Sequence, residues 1–295
     1  MTRFRFIDDH QAAFNIRAMC RVLGVSASGY YAWRDRPPSQ RQLRHEALSK
    51  LIDEVHLDSR RTYGYRRVHA ELTDGLGLQV GIDQVALVMA RSGLQGIKKR
   101  KRRGCTVRDE TARPAPDLVD RHFVADAPDQ LYVADITYVP TAVGFAYLAV
   151  VLNVFSRRIV GWSIDNHQRA SLVVEALQRA LAVRRPHGGV LAHHSDQGTQ
   201  YSSREFELAC RAAGIDRSMG TVGDAYDNAM AESFFGTLED ELFDRHRFRN
   251  RRHAALKIAD YIDAFYNRQR RHSSLGNISP AEHERRWHDA QQQAA

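Results

Sequence analysis

Between residues 131 and 219 the chain alternates predicted strands and helices in an order that few folds accommodate. The first strand pattern, residues 131–139, is apolar at nearly every position, which is typical of a central strand covered on both faces. The other predicted elements are two strands, a helix, a strand, a helix and a strand, at residues 145–152, 158–164, 172–184, 190–194, 204–213 and 215–219.

The connections between these elements limit the topology. The second and third strands follow their predecessors through short turns, so we expect antiparallel pairing. The helix at residues 172–184 is a crossover, and because such crossovers are right-handed, it returns the fourth strand parallel to the first. The sequence therefore predicts an α/β fold with a mixed five-stranded sheet and helices on both faces, the order of a ribonuclease H-like core.

Two aspartates fall at one end of this predicted sheet. Asp135 interrupts the apolar first strand, where an uncompensated carboxylate is costly, and Asp196 lies just beyond the end of the fourth strand. For a single buried aspartate, an ion pair with Arg or Lys is the ordinary explanation. Because the fourth strand returns beside the first, we expect both carboxylates at one place, and two adjacent carboxylates require a cation.

Glu232 is the third predicted ligand. Residues 224–240 have the pattern of a helix capped by Asp224 or Asp227, with apolar side chains along one side. Glu232 lies at the margin of that apolar side, close enough to face the sheet. Taken alone it would be interpreted as a solvated helix residue, so its assignment depends on the two aspartates.

Three carboxylates form a set of hard oxygen ligands. Such a set suits Mg²⁺ or Mn²⁺, which keep open positions for water and a substrate phosphate. Two ions about 4 Å apart activate the attacking oxygen and stabilise the leaving oxygen in an in-line phosphoryl transfer. We therefore predict Asp135, Asp196 and Glu232 as catalytic residues that hold two divalent ions.

Helical patterns occupy most of the first 94 residues. Residues 14–34 contain two short helices separated by Gly24, with Ser26 placed to cap the second. Three more helices are predicted between residues 45 and 94, and the last two have a helix-turn-helix arrangement. DNA contact and simple packing are both open interpretations of these modules.

Basic residues are concentrated in blocks, and the chain carries a formal charge of +8. Six consecutive ones are Lys98, Lys99, Arg100, Lys101, Arg102 and Arg103. A solvated linker is the alternative, but a block of like charge between a possible DNA-binding module and the core favours phosphate contact. The arginines between residues 245 and 252 are interpreted as phosphate contacts too, and so are Arg268, Arg270 and Arg271.

Other classes of site and location are not favoured. Cys20, Cys105 and Cys210 show neither zinc-ligand spacing nor a disulfide framework. His193 and His194 have no second pair at metal-ligand spacing. With no run of about 18 apolar residues and no signal-like N-terminus, we expect no membrane partner and a cytoplasmic, nucleoid-associated protein.

Four motifs of the predicted core resemble the second-frame transposases of the insertion-sequence-three family, relatives of retroviral integrases. They are LYVADITYVPT, YLAVVLNVFSRRIVGW, HHSDQGTQY and GDAYDNAMAESFFGTLEDEL. The separations agree as well, because 60 residues lie between positions 135 and 196 and 35 between positions 196 and 232. TYGYRRVHAEL, VALVMARSGLQG and FYNRQRRHSSLGNISPAEH extend the resemblance to nearly the whole chain.

This resemblance implies a DDE-type transposase that uses two Mg²⁺ or Mn²⁺ ions. Asp135 would bridge both ions, while Asp196 and Glu232 would each complete one. A water-derived or DNA 3′-hydroxyl would attack a phosphodiester at the ends of the element, followed by strand transfer, so element ends and target are the expected double-stranded DNA partners. The family also implies a first-frame partner or fusion that supplies end recognition, and a homo-oligomer on DNA.

Two positions depart from the family pattern. Many members carry Lys or Arg seven residues after the catalytic glutamate, where this chain has Glu239, which shares a helix face with Glu232 and would repel terminal phosphates. A strand position often occupied by Asp is Asn153. These departures leave open a catalytically impaired DNA-binding regulator of transposition. A nuclease for RNA:DNA hybrids is a third interpretation, which the helical modules disfavour.

The predicted organisation has five parts. They are an N-terminal helical region (1–40), a helix-turn-helix-like DNA-binding domain (41–97), a basic, proline-containing linker (98–122), an integrase catalytic core with a C-terminal helical tail (123–285) and a disordered tail (286–295).

Overall fold

The computed structural model describes residues 2–98, 123–184, 191–220 and 229–294. The chain divides into two compact units, Met1–Glu54 and Val55–Ala295. Their boundary falls inside helix α4 (Gln40–Asp58), which begins at the domain boundary predicted at residue 40. Within the described ranges no helix is long and apolar enough to cross a membrane.

The first unit is a small helical module. Its helices α1 (Arg3–His10), α2 (Ile16–Leu23) and α3 (Ala27–Arg34) surround a cluster of buried side chains, namely Ile7, Met19, Cys20 and Tyr30. Gly24 ends α2 with a left-handed φ of 63°, and the Ser26 hydroxyl caps α3 by accepting a hydrogen bond from Gly29 N–H. Both features agree with the sequence prediction. Helix α1 was not predicted from the sequence.

Two short helices follow α4. α5 (Tyr65–Ala70) continues as a π-helical turn (Glu71–Gly75), and α6 (Ile82–Arg91) packs against α5. Each helix buries one apolar side, which includes Val68 on α5 and Val85 on α6. The three helices predicted between residues 45 and 94 are therefore confirmed.

A five-stranded mixed sheet forms the core of the second unit. Its strands are β1 (Leu131–Thr141), β2 (Gly144–Asn153), β3 (Ile159–Asp165), β4 (Leu191–Ser195) and β5 (Ile215–Met219), in the spatial order β3-β2-β1-β4-β5. The pairs β1–β2 and β2–β3 are antiparallel, whereas β4 runs parallel to both β1 and β5. The predicted sheet, with its parallel return after the crossover helix, is confirmed.

Helices cover both faces of the sheet. α7 (Ala170–Val183) and α8 (Arg204–Ala212) share an apolar cluster with Tyr132 and Ala134 of β1. β3 approaches α7 so closely that a Cβ on Gly161 would lie 2.2 Å from the Ala176 carbonyl oxygen. α9 (Ala229–Glu241) and α10 (Arg251–Ala259) contact β1 but contribute no residue to that cluster, so they cover the opposite face.

The C-terminal segment corrects one prediction. A π-helical turn (Asp260–Tyr266) extends α10, and α11 (Pro280–Ala294) runs through most of the segment predicted as a disordered tail. Ion pairs at helical spacing, such as Arg285 with Glu282 and Asp289, support α11. Its one buried acid, Glu284, binds the Ser156 hydroxyl at 2.6 Å and the Arg158 guanidinium at 2.7 Å, which attaches the helix to the sheet.

Candidate active site

Asp135 lies in the middle of β1, on the face that α9 covers. Successive strand residues point to opposite faces, and its neighbours Ala134 and Ile136 pack in the cluster beneath α7 and α8. One carboxylate oxygen, Oδ1, accepts a hydrogen bond of 2.7 Å from Ile136 N–H. No hydrogen bond to Oδ2 is present in the part of the chain that the structure describes, so this oxygen is available to a ligand.

Asp196 follows the last residue of β4. In the parallel register Leu131 pairs with Ala192 and Val133 with His194, so the same offset two residues further places Asp196 beside Asp135. Asp196 Oδ1 accepts a hydrogen bond of 3.1 Å from Gly198 N–H. Position 198 has no room for a side chain, because a Cβ on Gly198 would lie 2.9 Å from that oxygen.

Glu232 belongs to the first turn of α9, where its side chain is exposed. α9 packs on β1 through apolar residues that include Ala231 and Phe235. The predicted helix caps Asp224 and Asp227 lie outside the described residues. Because one side of α9 is buried, Glu232 lies at the edge of that buried side, as the sequence predicted.

The electrostatics of Asp135 link the three carboxylates. Its pKa is raised to about 7, mainly by burial, then by the negative charge of Asp196, with a smaller contribution from Glu232. Burial also raises the pKa of Asp196, against the stabilising hydrogen bond from Gly198. Like charges near one another disfavour ionisation, so the arrangement favours a bound cation that would restore both aspartates to their charged forms.

The donor set suits a hard divalent cation. Backbone N–H groups fix one oxygen of each aspartate, which leaves the other oxygens and the Glu232 carboxylate uncommitted among the described residues. Oxygen ligands of this kind are those that Mg²⁺ and Mn²⁺ prefer. In the described ranges, no three His, Cys, Asp or Glu side chains already form a closed metal site, so Glu232 would have to approach the aspartates to complete one.

Tyr201 is a residue of this site that the sequence prediction omitted. It is 2% exposed, and its hydroxyl finds no hydrogen-bond partner in the described part of the chain. Burial raises its pKa well above the ordinary value, and the charges of Asp135 and Asp196 raise it further. Its position in HHSDQGTQY, five residues after Asp196, was the signal available in the sequence.

The two adjacent histidines of β4 belong to the protein interior. His193 stacks edge-on against Phe206, with ring centroids 5.0 Å apart, and burial lowers its pKa to about 3, so the ring is neutral. His194 Nδ1 lies 2.9 Å from the Ser218 hydroxyl. Neither ring belongs to a group of three potential metal ligands among the described residues.

The predicted phosphate-binding residues divide into three groups. Lys98 and Arg268 are exposed and remain candidates. Lys99, Arg100, Lys101, Arg102 and Arg103 lie outside the described residues. Arg270 and Arg271, in contrast, are 3% and 9% exposed, so the structure corrects their assignment: both side chains are used inside the protein.

The buried arginines pair with carboxylates of this chain. Arg270 Nη2 lies 2.7 Å from Glu241 Oε1 and its Nε 2.8 Å from Oε2, a bidentate contact with the last residue of α9. Burial alone would lower the pKa of Arg270, but Glu241 raises it above its ordinary value. Arg271 pairs with Glu71, at 2.5 Å, and donates to the Asn277 carbonyl at 2.7 Å.

The two departures from the family pattern have different positions. Asn153 is completely buried at the end of β2, opposite Tyr132, and its amide donates to Asp129 at 3.0 Å. It is therefore three strand positions away from Asp135 and does not enter the carboxylate group. Glu239 lies half-buried on α9 and has an interaction within the protein.

Family models match most of the chain. Residues 125–225 and 213–280 each match an integrase core domain, and residues 43–102 match an HTH-like domain. Asp135 and Asp196 lie in the first match and Glu232 in the second, so all three carboxylates fall within integrase core sequence.

Individual relatives extend over nearly the full length. The insertion element IS600 uncharacterized 31 kDa protein of Shigella sonnei is 42% identical over 270 residues, which cover 92% of this chain and 98% of the relative. Transposase InsF for insertion sequence IS3A of Escherichia coli (strain K12) is 36% identical over 285 residues, 96% of this chain and 98% of the relative. Among solved structures, the HTLV-2 integrase catalytic core domain in complex with magnesium (trimeric form) is similar, with a TM-score of 0.42 and 16% identity over 55% of this chain and 99% of that chain.

Proposed function

The chain belongs to the IS3 family of insertion-sequence transposases, and from this membership we propose that it catalyses metal-dependent phosphodiester cleavage and strand transfer at the ends of an insertion element. DNA transposition and the polynucleotidyl transferase class follow from the family. The proposal adds the site, Asp135, Asp196 and Glu232, and the use of two Mg²⁺ or Mn²⁺ ions.

One observation carries the assignment of the site. The pKa of Asp135 rises to about 7, mainly because the side chain is buried and further because of the negative charges of Asp196, at the end of β4, and Glu232, at the start of α9. No arginine or lysine contributes to that shift, so the ion pair that ordinarily explains a buried aspartate is missing among the described residues. Without such a partner the carboxylate takes up either a proton or a cation from solution, and a divalent cation would compensate the charges of all three carboxylates together.

We assign a separate role to each residue of the site. Asp135 would contact both ions, Asp196 and Glu232 one each, and the ions would polarise the scissile phosphate and lower the pKa of the attacking water or 3′-hydroxyl. Ile136 N–H and Gly198 N–H each bind one oxygen of an aspartate, which would leave the other oxygen for a metal ion. α9 presents Glu232 on a rigid element packed against β1.

DNA and protein partners belong to the same proposal. Double-stranded element ends and target DNA are the substrates, and exposed Lys98 and Arg268 are available for phosphate contact. A first-frame partner or fusion would supply end recognition, and copies of the chain would assemble on DNA as a homo-oligomer.

Cleavage of a labelled duplex that carries the element end tests the proposal. With the first-frame partner and Mg²⁺ or Mn²⁺ present, wild-type protein should nick the end, whereas Asp196→Asn should bind it without cutting. Asp216→Asn is the matched control, because Asp216 is an exposed aspartate on β5 outside the carboxylate group. Undiminished cleavage by Asp196→Asn would refute the assignment.

Two results would favour the other interpretations. Wild-type protein that shifts the end duplex but never cuts it, even with Mn²⁺ and its partner, would indicate a regulator of transposition. Cleavage of an RNA:DNA hybrid without element sequence would indicate a nuclease. Calorimetry adds an independent check, since Mn²⁺ should raise the melting temperature of wild-type protein and not of Asp196→Asn.

A further inference from the structure

A basic cavity lies on the second unit, separate from the carboxylate group. It has a volume of about 390 Å³ and is open to solvent. Its lining combines four groups that can carry positive charge with two leucines and one glutamate, namely Arg60, Arg61, Arg245, His246, Leu57, Leu242 and Glu241. The loop after α4, the end of α9 and the turn that follows α9 therefore meet around it.

The acidic residue in this lining does not oppose an anion. Glu241 is held by Arg270 in the bidentate contact described above, so its charge is already compensated. Arg60 is likewise compensated in part, since its Nη1 lies 3.0 Å from Asp260 Oδ2. Arg61 has no ion pair or side-chain hydrogen bond in the described part of the chain, and its side chain is exposed. The cavity thus retains uncompensated positive charge.

The backbone that carries these arginines is strained. Arg60 and Arg61 both have left-handed φ values, 57° and 58°, a conformation that suits glycine or asparagine and disfavours long side chains. The loop is fixed by its own hydrogen bonds: Arg61 N–H donates to the His56 carbonyl at 2.7 Å, and the Thr62 hydroxyl donates to the Ser59 carbonyl at 2.8 Å. Backbone strain that the surroundings maintain is concentrated at functional sites.

A contact across the cavity holds the two basic segments together. Arg245 Nη1 donates to the Arg60 carbonyl at 2.6 Å, which leaves the other nitrogens of that guanidinium for a ligand. Beyond the cavity the chain continues with exposed Arg247, Arg249 and Arg252, which form no ion pair within the described ranges. The positive surface therefore extends from the cavity along the segment that follows α9.

We propose that this cavity binds a phosphodiester group of the DNA backbone, with Arg61 and Arg245 as its principal donors. Guanidinium groups match phosphate oxygens in bidentate geometry, and hydrogen bonds of the loop fix the backbone of Arg61, which lines the cavity. This inference rests on the proposed function for its ligand, since a transposase must bind DNA. It names a contact outside the carboxylate group: Arg61 lies in the loop between α4 and α5, within the helix-turn-helix-like domain, and Arg245 follows α9.

The left-handed backbone supplies a decisive variant. Arg61→Gly removes the guanidinium and relieves the strain, so the melting temperature should be unchanged or higher. Affinity for a short duplex of arbitrary sequence should fall several-fold, and the slope of log affinity against log salt concentration should decrease by about 0.9, the value for one lost phosphate contact. Arg61→Lys keeps the charge and should keep most of the slope.

Two control variants distinguish the loss of the Arg61 charge from the relief of backbone strain and from the loss of an arginine elsewhere on the surface. Asn277→Gly relieves a left-handed residue, φ 60°, without changing charge. Arg211→Ala removes an exposed arginine on α8 that pairs with Glu207. Both should retain wild-type affinity and salt slope. All binding is measured without divalent metal, so a failure here leaves the cleavage results for Asp196→Asn intact, and the reverse also holds.

The proposal is overturned if Arg61→Gly binds the duplex with wild-type affinity and salt slope. It is also overturned if Arg61→Gly changes only the association between copies of the chain, because the cavity would then hold an acidic protein segment. A fall in affinity with an unchanged salt slope contradicts it as well, since a phosphate contact must release counterions.

Discussion

The two ends of helix α9 carry acidic side chains in different surroundings, with Glu232 exposed near the start and Glu241 buried at the end. Near its start is Glu232, one of the three carboxylates, and burial together with the charges of Asp196 and Glu232 raises the pKa of Asp135 to about 7. At its last residue, Glu241 is matched by Arg270 and also accepts a hydrogen bond of 2.8 Å from the Tyr261 hydroxyl. One helix therefore connects three carboxylates that form no ion pair with Arg or Lys among the described residues to a carboxylate that is paired with a buried arginine.

This difference distinguishes function from structure. A buried ion pair whose hydrogen bonds are all made stabilises or specifies a fold, and removing one partner leaves an uncompensated charge. Converging carboxylates without a cation reduce stability, so their presence at the end of a well-packed strand indicates a ligand that arrives later. The same substitution at the two ends of α9 should consequently have opposite effects.

Glu232→Gln should have the largest effect on activity. It removes one ligand oxygen's charge, and we expect end cleavage to fall on the order of a thousandfold, the scale for loss of a principal transition-state contact. The free energy of unfolding should be unchanged, since the side chain is exposed. Single-turnover cleavage and urea unfolding measure the two quantities. Near-normal cleavage would exclude Glu232 from the site.

Glu241→Gln is the matched substitution at the other end of the helix. It leaves Arg270 buried without its charge partner, so the free energy of unfolding should fall by about 3 to 5 kcal/mol. Cleavage per folded molecule, measured well below the melting temperature, should be retained. Unchanged stability would mean that the ion pair contributes only packing, and the comparison between the two ends of α9 would no longer hold.

The sequence predicted the carboxylate group (Asp135, Asp196 and Glu232) better than the ion pair between Glu241 and Arg270. Asp135 and Asp196 could be brought together because the right-handed crossover fixes β4 beside β1, and the residue offset then follows. Whether an arginine in the run NRQRR reaches solvent depends on contacts that are distant in the chain. Arg270 meets Glu241, 29 positions earlier, and Arg268 does not. Local charge density therefore predicted phosphate contacts where the fold makes internal ion pairs.

Helix α11 was missed for a related reason. Its sequence, PAEHERRWHDAQQQA, lacks the apolar period on which helix prediction depends. The helix is attached at a buried acid instead, through Glu284 and its contacts with Ser156 and Arg158. Tyr201 was missed although it lies in the motif HHSDQGTQY, because proximity to Asp196 in the sequence does not show that a side chain is buried within range of the charges of both aspartates.

Gly198→Ala tests how accurately the Asp196 carboxylate must be oriented. The added Cβ would lie 2.9 Å from Asp196 Oδ1 and 3.2 Å from Gln200 Oε1, so the carboxylate must move and the Gln200 side chain must shift slightly. We expect cleavage to fall roughly ten- to a hundredfold, as for a misplaced catalytic group, with the melting temperature unchanged. A loss of stability equal to that of Glu241→Gln would show instead that the loop after β4 is structural.

Tyr201→Phe should have the smallest effect, and it bears on stability. The hydroxyl is buried without a partner in the described part of the chain, and an unsatisfied polar group costs about 1 kcal/mol or more. Its removal should therefore raise the free energy of unfolding of metal-free protein by about 1 kcal/mol, whereas the same change at Tyr261, whose hydroxyl donates to Glu241, should lower it. If urea unfolding shows that both variants lose the same free energy of unfolding, the hydroxyl of Tyr201 has a hydrogen-bond partner. The site around Asp135 and Asp196 would then contain a polar contact that the described residues do not show.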